Sequence, residues 1–192
     1  MVIALKNNFL TTEIYNIISN IVPLDCLEQE HIIQTLAWIR TGASILRFEK
    51  PDIPNKHLVS YFVLFDEVNR KNLLVDHKKA HLWLPTGGHV EVDEDPKQTV
   101  IRECYEEQGV KADFWVEAPI FSTSTVTVGI TAGHTDVSLW YVLKGDSNIY
   151  YAFDHDEFNA ICWFGFDDIP YVKSDPHISI FISKLKNFAA DD

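Results

Sequence analysis

A chain of 192 residues, 46% of them hydrophobic and 12% aromatic, can bury one sizeable core, which argues against disorder. Its 28 acidic side chains against 16 basic ones leave a formal charge of −12, a field that repels nucleic-acid backbones and anionic membranes. Cys26, Cys104 and Cys162 stand far apart without a CxxC, no apolar run approaches the roughly 18 residues of a membrane span, and the first residues lack an export signal, so the sequence reads as a cytoplasmic protein with reduced thiols.

Residues from about 11 to 42 read as two helices. Thr11-Thr12-Glu13 opens the first, with Ile14, Ile17 and Ile18 at helical spacing and Pro23 beyond its end. The second runs from Leu24 to about Arg40, carries the stripe Ile32, Ile33, Leu36 and Ile39, and stops at Gly42. Such a hairpin packs on a core, serves as a dimer arm or closes as a lid; Trp38 and His31 read as packing or surface residues. Residues 50–57 form a proline-bearing connection, which divides the chain into an N-terminal helical extension, 1–50, and a main domain, 51–192.

Leu58 to Phe65 alternates and is rich in β-branched and aromatic residues, as a strand should be. Residues 66–70 make a hairpin loop, Asn72 to Asp76 the returning strand, and Trp83-Leu84-Pro85-Thr86-Gly87-Gly88 a short strand entering a glycine turn. Next comes a helix specified at both ends. Asp95 is its N-cap, Pro96 suits its first position, Gln98 completes a capping-box spacing, and Gly109 supplies the left-handed stop after Gln108. Glu103, Glu106 and Glu107 share one face at i, i+3 and i+4, opposite Val100 and Cys104, with Ile101 at the edge. Like charges so placed repel, and hard divalent cations, which take oxygen ligands and bridge to phosphates, would neutralise them. A solvated acidic face is the plainer alternative.

Lys111 to Val128 reads as one or two strands broken at Pro119, Val137 to Leu143 as a strand, and Ile161 to Phe166 as another. Ser174 or Asp175, with Pro176 behind it, caps a last helix carrying Ile178, Phe181, Ile182 and Leu185. These elements amount to an α/β fold, a mixed sheet with helices on both faces.

Gly88, then Glu94, Arg102-Glu103, Glu106-Glu107, Gly109 and the apolar Val110 stand at spacings that resemble the Nudix box. Cys104 occupies a place where a larger aliphatic is usual, and Thr86 one where proline commonly precedes the glycines. The resemblance implies a Nudix-type α/β/α sandwich with a mixed β-sheet, preceded here by the helical extension. It also implies Mg²⁺- or Mn²⁺-dependent hydrolysis of a pyrophosphate bond in a nucleoside diphosphate-linked substrate. In that reading Glu103 and Glu107 are metal ligands, with Glu106 sharing and the Gly87 carbonyl contributing. Arg102 holds the carboxylates, Glu94 supports the loop, and Gly88 and Gly109 shape the turns. A later loop, Asp154-His-Asp-Glu157, would donate a further ligand or general base, Glu157 before Asp156. His89 could touch phosphate or be a loop residue. His134 and Asp136 have the look of a dyad but are equally a turn residue and a strand start. Trp83, Phe114, Trp115 and Trp140 could stack a nucleobase or be core.

Subgroup marks of the family are absent: residues 124–128, Ser-Thr-Val-Thr-Val, lack the proline of ADP-ribose hydrolases, and the tyrosine of dinucleoside polyphosphate hydrolases and the coenzyme-A motif are missing. A nucleoside triphosphate or related nucleotide derivative is the default substrate. The expected partner is this small molecule, with neither nucleic acid nor membrane, and a homodimer is compatible with the helical extension. The alternatives are a non-catalytic nucleotide-sensing Nudix module, which would not need all three glutamates, and an isoprenoid-diphosphate isomerase on the same scaffold, which would not need the complete box.

Overall fold

The computed structural model describes residues 2–49 and 53–190. In chain order the elements are α1 (Val2–Ser19), α2 (Cys26–Arg40), β1 (Lys56–Asp66), β2 (Lys71–His77), β3 (Leu82–Leu84), β4 (Thr86–His89), α3 (Pro96–Gln108), β5 (Phe114–Val126), β6 (Thr135–Lys144), β7 (Phe158–Gly165) and α4 (Ile178–Phe188). Part of the proline-bearing connection, residues 50–52, lies outside the described residues.

β1 is the strand from which the sheet is built. It runs parallel to β6 from Lys56↔Thr135 to Phe65↔Lys144, and β6 in turn pairs antiparallel with β5. On its other edge β1 changes partner. Val59 to Phe62 pair with β4, whereas only Phe65 and Asp66 pair with β2, which then continues with β7 and β3. Both faces of β1 and β6 are covered, so alternate residues enter different cores. Leu58, Phe62, Leu64, Val137, Leu139, Tyr141 and Leu143 join Val100 and Cys104 of α3 on one side. Val63, Phe65, Trp140 and Val142 meet Phe181, Ile182 and Leu185 of α4 on the other. Burial on both faces explains why these strands are nearly continuous apolar runs. The result is the expected α/β/α arrangement around a mixed sheet of seven strands.

The N-terminal helices belong to the same packing. Ile14, Ile18, Ile21, Ile32 and Ile39 share a buried cluster with Leu58, Phe62 and Val100. Asp25 caps α2 by accepting the Glu28 N–H at 2.8 Å, as the sequence position of an acidic N-cap favours. Glu28 is itself buried; it accepts the Leu24 N–H at 2.6 Å and receives the Lys184 ammonium of α4.

Three local expectations are corrected. α1 begins at Val2 rather than near Thr11, because no proline or glycine interrupts residues 2–10 and the threonine pair sits inside the helix. The glycine turn is β4, a strand: neither Gly87 nor Gly88 has a positive φ, and both pair with β1. The side chain of Asp175 accepts the His177 N–H at 2.7 Å, one turn ahead of α4, whose own N-cap is His177, so the cap falls later than Ser174 or Asp175.

Candidate active site

α3 presents the box carboxylates, and its ends are fixed as the sequence specifies. The Asp95 side chain accepts the N–H groups of Lys97 and Gln98 at 2.9 Å, and Gln98 Oε1 accepts the Asp95 N–H at 3.2 Å. Gly109 takes the left-handed conformation, φ 67°, and its N–H donates to the Tyr105 carbonyl. Val100 and Cys104 are fully buried while Ile101 is exposed, so the helix is locked in rotation with Glu103 against Gly88 of β4 and Glu107 near Asp154 and Glu157 of the 154–157 loop.

Gly88 is glycine because of Glu103. A Cβ at residue 88 would overlap the Glu103 carboxyl group, and one at residue 87 would overlap the Ser60 carbonyl of β1. These glycines therefore permit close approach of the chain to itself, not unusual backbone angles.

Arg102 organises the acidic groups. Its Nε and Nη2 donate to the two oxygens of Glu94, each at 2.9 Å, a bidentate pair. Nη1 reaches Glu103 at 2.5 Å and Glu106 at 3.2 Å, and Nη2 also donates to the His89 carbonyl at 3.3 Å. Glu94 further accepts the Thr99 hydroxyl at 2.8 Å and the Glu91 N–H at 3.3 Å. Burial works to raise the Glu94 pKa, but these donors outweigh it and hold the carboxyl below its ordinary value.

Glu107 lies at the opposite extreme. It is only 7% exposed, and its Oε2 has no hydrogen-bond partner among the described residues. Burial first, then the charges of Glu103, Glu157, Asp154 and Glu106, push its pKa up to about 9. Burial also raises Glu103, against the pull of Arg102. Glu107 lines the cleft, but nearly all of its surface is covered. One arginine cannot neutralise this many carboxylates. A buried, orphaned carboxylate oxygen facing other carboxylates fits a hard divalent cation, and the all-oxygen donor set agrees.

The surrounding cleft has a volume of about 1090 Å³, ample for a nucleotide. Gly87, Gly88, Arg102, Glu103, Glu107 and Glu157 line it; Glu106 and Asp156 do not. Asp156 is exposed, and its backbone N–H donates to Asp154 Oδ1 at 2.7 Å. The Asp154 N–H also donates to the Glu107 carbonyl at 3.1 Å, which ties this loop to the end of α3.

None of the four aromatic candidates lines the cleft. Trp140 is fully buried with its indole N–H on Thr123 at 3.1 Å, Phe114 packs on Tyr141, Trp115 on Phe65, and Trp83 on Phe164. Tyr61 and Phe158 are the aromatic carbocycles in the wall. Arg47 and Lys79 add positive charge that the sequence did not single out. His89, His134 and Asp136 line the cleft too, and His57, placed by sequence in the connection, lies beside them.

Comparison with known proteins agrees with this geometry. The family profile described as NUDIX domain matches residues 55–184. The chain belongs to the NUDIX family. It is similar to the human protein named nucleoside diphosphate-linked moiety X motif 6, at 35% identity over 79 residues. That match covers 40% of this chain and 24% of the relative, a minor part of its length. Among solved structures, a NUDIX-family hydrolase from Clostridium perfringens superposes with a TM-score of 0.54 at 22% identity, covering 69% of this chain and 97% of that one. An Ap4A hydrolase from C. elegans gives a TM-score of 0.54 at 18% identity, covering 70% and 99%. At these identities the structural matches establish the fold. No helix among the described residues is long and apolar enough to cross a membrane.

Proposed function

We propose that the chain hydrolyses a pyrophosphate bond in a nucleoside diphosphate-linked substrate, a nucleoside triphosphate or related nucleotide derivative, with Mg²⁺ or Mn²⁺. The observation that carries this reading is the buried, unpartnered Glu107 Oε2, set among Glu103, Glu106 and Glu157 at one end of a nucleotide-sized cleft. Glu103 and Glu107, with Glu106 sharing and the Gly87 carbonyl contributing, would hold the cation, which lowers the pKa of water and neutralises phosphate oxygens when bound.

The protein's own groups do the rest. Arg102, fixed by the Glu94 fork, keeps Glu103 and Glu106 in place, while Gly88 leaves the space that Glu103 occupies. Glu157 is the general base in this reading, because it lines the cleft near enough to raise the pKa of both Glu103 and Glu107. Lys79 and Arg47 offer the positive charge a phosphate needs on a chain of net charge −12. Similarity to the human nucleoside diphosphate-linked moiety X motif 6 protein and to the worm Ap4A hydrolase supports a nucleotide substrate. Three free cysteines support a reducing, cytoplasmic location.

The test is phosphate- and pyrophosphate-coupled turnover across a nucleotide panel with Mg²⁺, Mn²⁺ or EDTA, beside Glu107→Gln. Cleavage that needs metal and falls about 100-fold or more in the variant is the expected result. Full activity in Glu107→Gln would remove the assigned role. Nucleotide binding without turnover would favour a sensor.

A further inference from the structure

A second constellation lies in the same cleft, away from the α3 glutamates. Three strands bring it together. His57 is the second residue of β1 and Asp136 the second of β6, and the two are direct partners in the parallel register. His89 ends β4 opposite Val59, so it is the diagonal neighbour of His57 on the same face. His134 sits in the turn before β6. One ligand atom from each of the four residues lies within 4.8 Å of every other. The His57 ring stands 4.8 Å from His89 and 5.1 Å from His134, centroid to centroid.

The protonation pattern is set by a backbone group. His57 Nδ1 is 2.7 Å from the Pro54 carbonyl, which can only accept, so Nδ1 carries a hydrogen. Neutral His57 then turns the lone pair of Nε2 toward Asp136 Oδ1, 3.4 Å away, while His134 Nε2 is 3.2 Å from the same oxygen. His57 is completely buried, and its Nε2, like Asp136 Oδ1, makes no hydrogen bond of good geometry. Two buried acceptors facing each other require something positive between them. A histidine whose far nitrogen is held by a backbone carbonyl is also the usual arrangement of a metal ligand, because that bond orients the ring and frees Nε2.

We propose that His57, His89, His134 and Asp136 form a second metal site, one that takes a divalent transition ion of the zinc or cobalt class. Three imidazole nitrogens and one carboxylate oxygen match that class and not Mg²⁺, which demands oxygen ligands. The rival occupant is a proton. Burial lowers the His57 pKa, but Asp136 and the Pro54 carbonyl outweigh it, so an imidazolium–carboxylate pair is the alternative the experiment must separate.

The tag-free 192-residue chain is stripped with chelator, then titrated with Zn²⁺ by calorimetry in excess Mg²⁺, which occupies the carboxylate site. The proposal expects a single tight equivalent in the wild type and in Glu107→Gln, weakened about 100-fold in both His134→Ala and Asp136→Asn. Co²⁺ should give a visible ligand-field spectrum lost in the same two variants, and imidazole ¹⁵N resonances should show Nε2 of His57 metal-bound. Zinc binding that is absent, or equal in wild type and both variants, overturns the proposal. So does a His57 ring doubly protonated in the presence of zinc. Because Glu107→Gln should keep this site, its failure and that of the hydrolase reading are distinguishable.

Discussion

Glu107 shows how one position carries opposing demands. Its carboxyl holds a proton to about pH 9 in the folded chain without metal, whereas an exposed glutamate in the unfolded chain releases it near about 4.3. Between those values the folded state binds more protons than the unfolded one, so stability falls as pH rises. Chelator-treated protein should therefore melt at progressively lower temperature from about pH 5 toward pH 9. Glu107→Gln, which mimics the protonated carboxyl, should flatten that slope. Mg²⁺ should raise the melting temperature of the wild type most at the alkaline end. A wild-type profile as flat as that of the variant would refute the assignment. The sequence supplied the residue and its neighbours on the helix, but not this burial, which depends on the 154–157 loop closing over the end of α3. His57 is a sharper case. It stood in a proline-bearing segment with no motif around it, and only the register of β1 with β6 sets it against Asp136.

Among the elements, α3 was legible to the residue because everything that fixes it is local: Asp95, Pro96, Gln98 and Gly109 act within a few positions of themselves. β4 was not. Two adjacent glycines read as a turn, and nothing nearby announces that β1 will pair with them. Their different surroundings give different expected costs for alanine. At Gly88 the added carbon meets the end of the flexible Glu103 side chain, which can swing aside. Gly88→Ala should lose most turnover and metal affinity while the melting temperature changes little. At Gly87 it meets the Ser60 carbonyl of β1, which cannot move without parting the strands, so Gly87→Ala should cost about 1–3 kcal/mol of stability. Denaturant unfolding of both variants, read beside activity, checks this; equal stability losses would contradict it.

At the level of the whole molecule, the layered α/β order followed from hydrophobic patterning and the box, whereas the seat of the N-terminal helices did not. Their stripe was visible, but what it packs on is set by contacts far along the chain. We propose that residues 1–50 buttress the main domain. Ile14, Ile18, Ile32 and Ile39 complete its core, and buried Glu28 meets buried Lys184 of α4. Glu28→Ala would leave the Lys184 ammonium uncompensated in the interior and should destabilise by about 3–5 kcal/mol. Replacing both residues with methionine should recover most of that loss. A chain starting near Lys50 should aggregate; one that stayed soluble, unchanged in oligomeric state and fully active would refute the buttress.

β1 gives its middle, Val59 to Phe62, to β4 and only Phe65 and Asp66 to β2, and the cleft opens where those partners diverge. The sheet is built like a pair of tongs, jointed where Phe65 meets Asn72. Asp66 braces the joint, accepting the N–H of Asn69 at 2.8 Å and of Ser147 at 2.7 Å. The width of the slot is thus set by the splay of the main chain. Substitutions along its jaws alter what a ligand touches, while the gap itself is kept open by strands that have already turned to other neighbours.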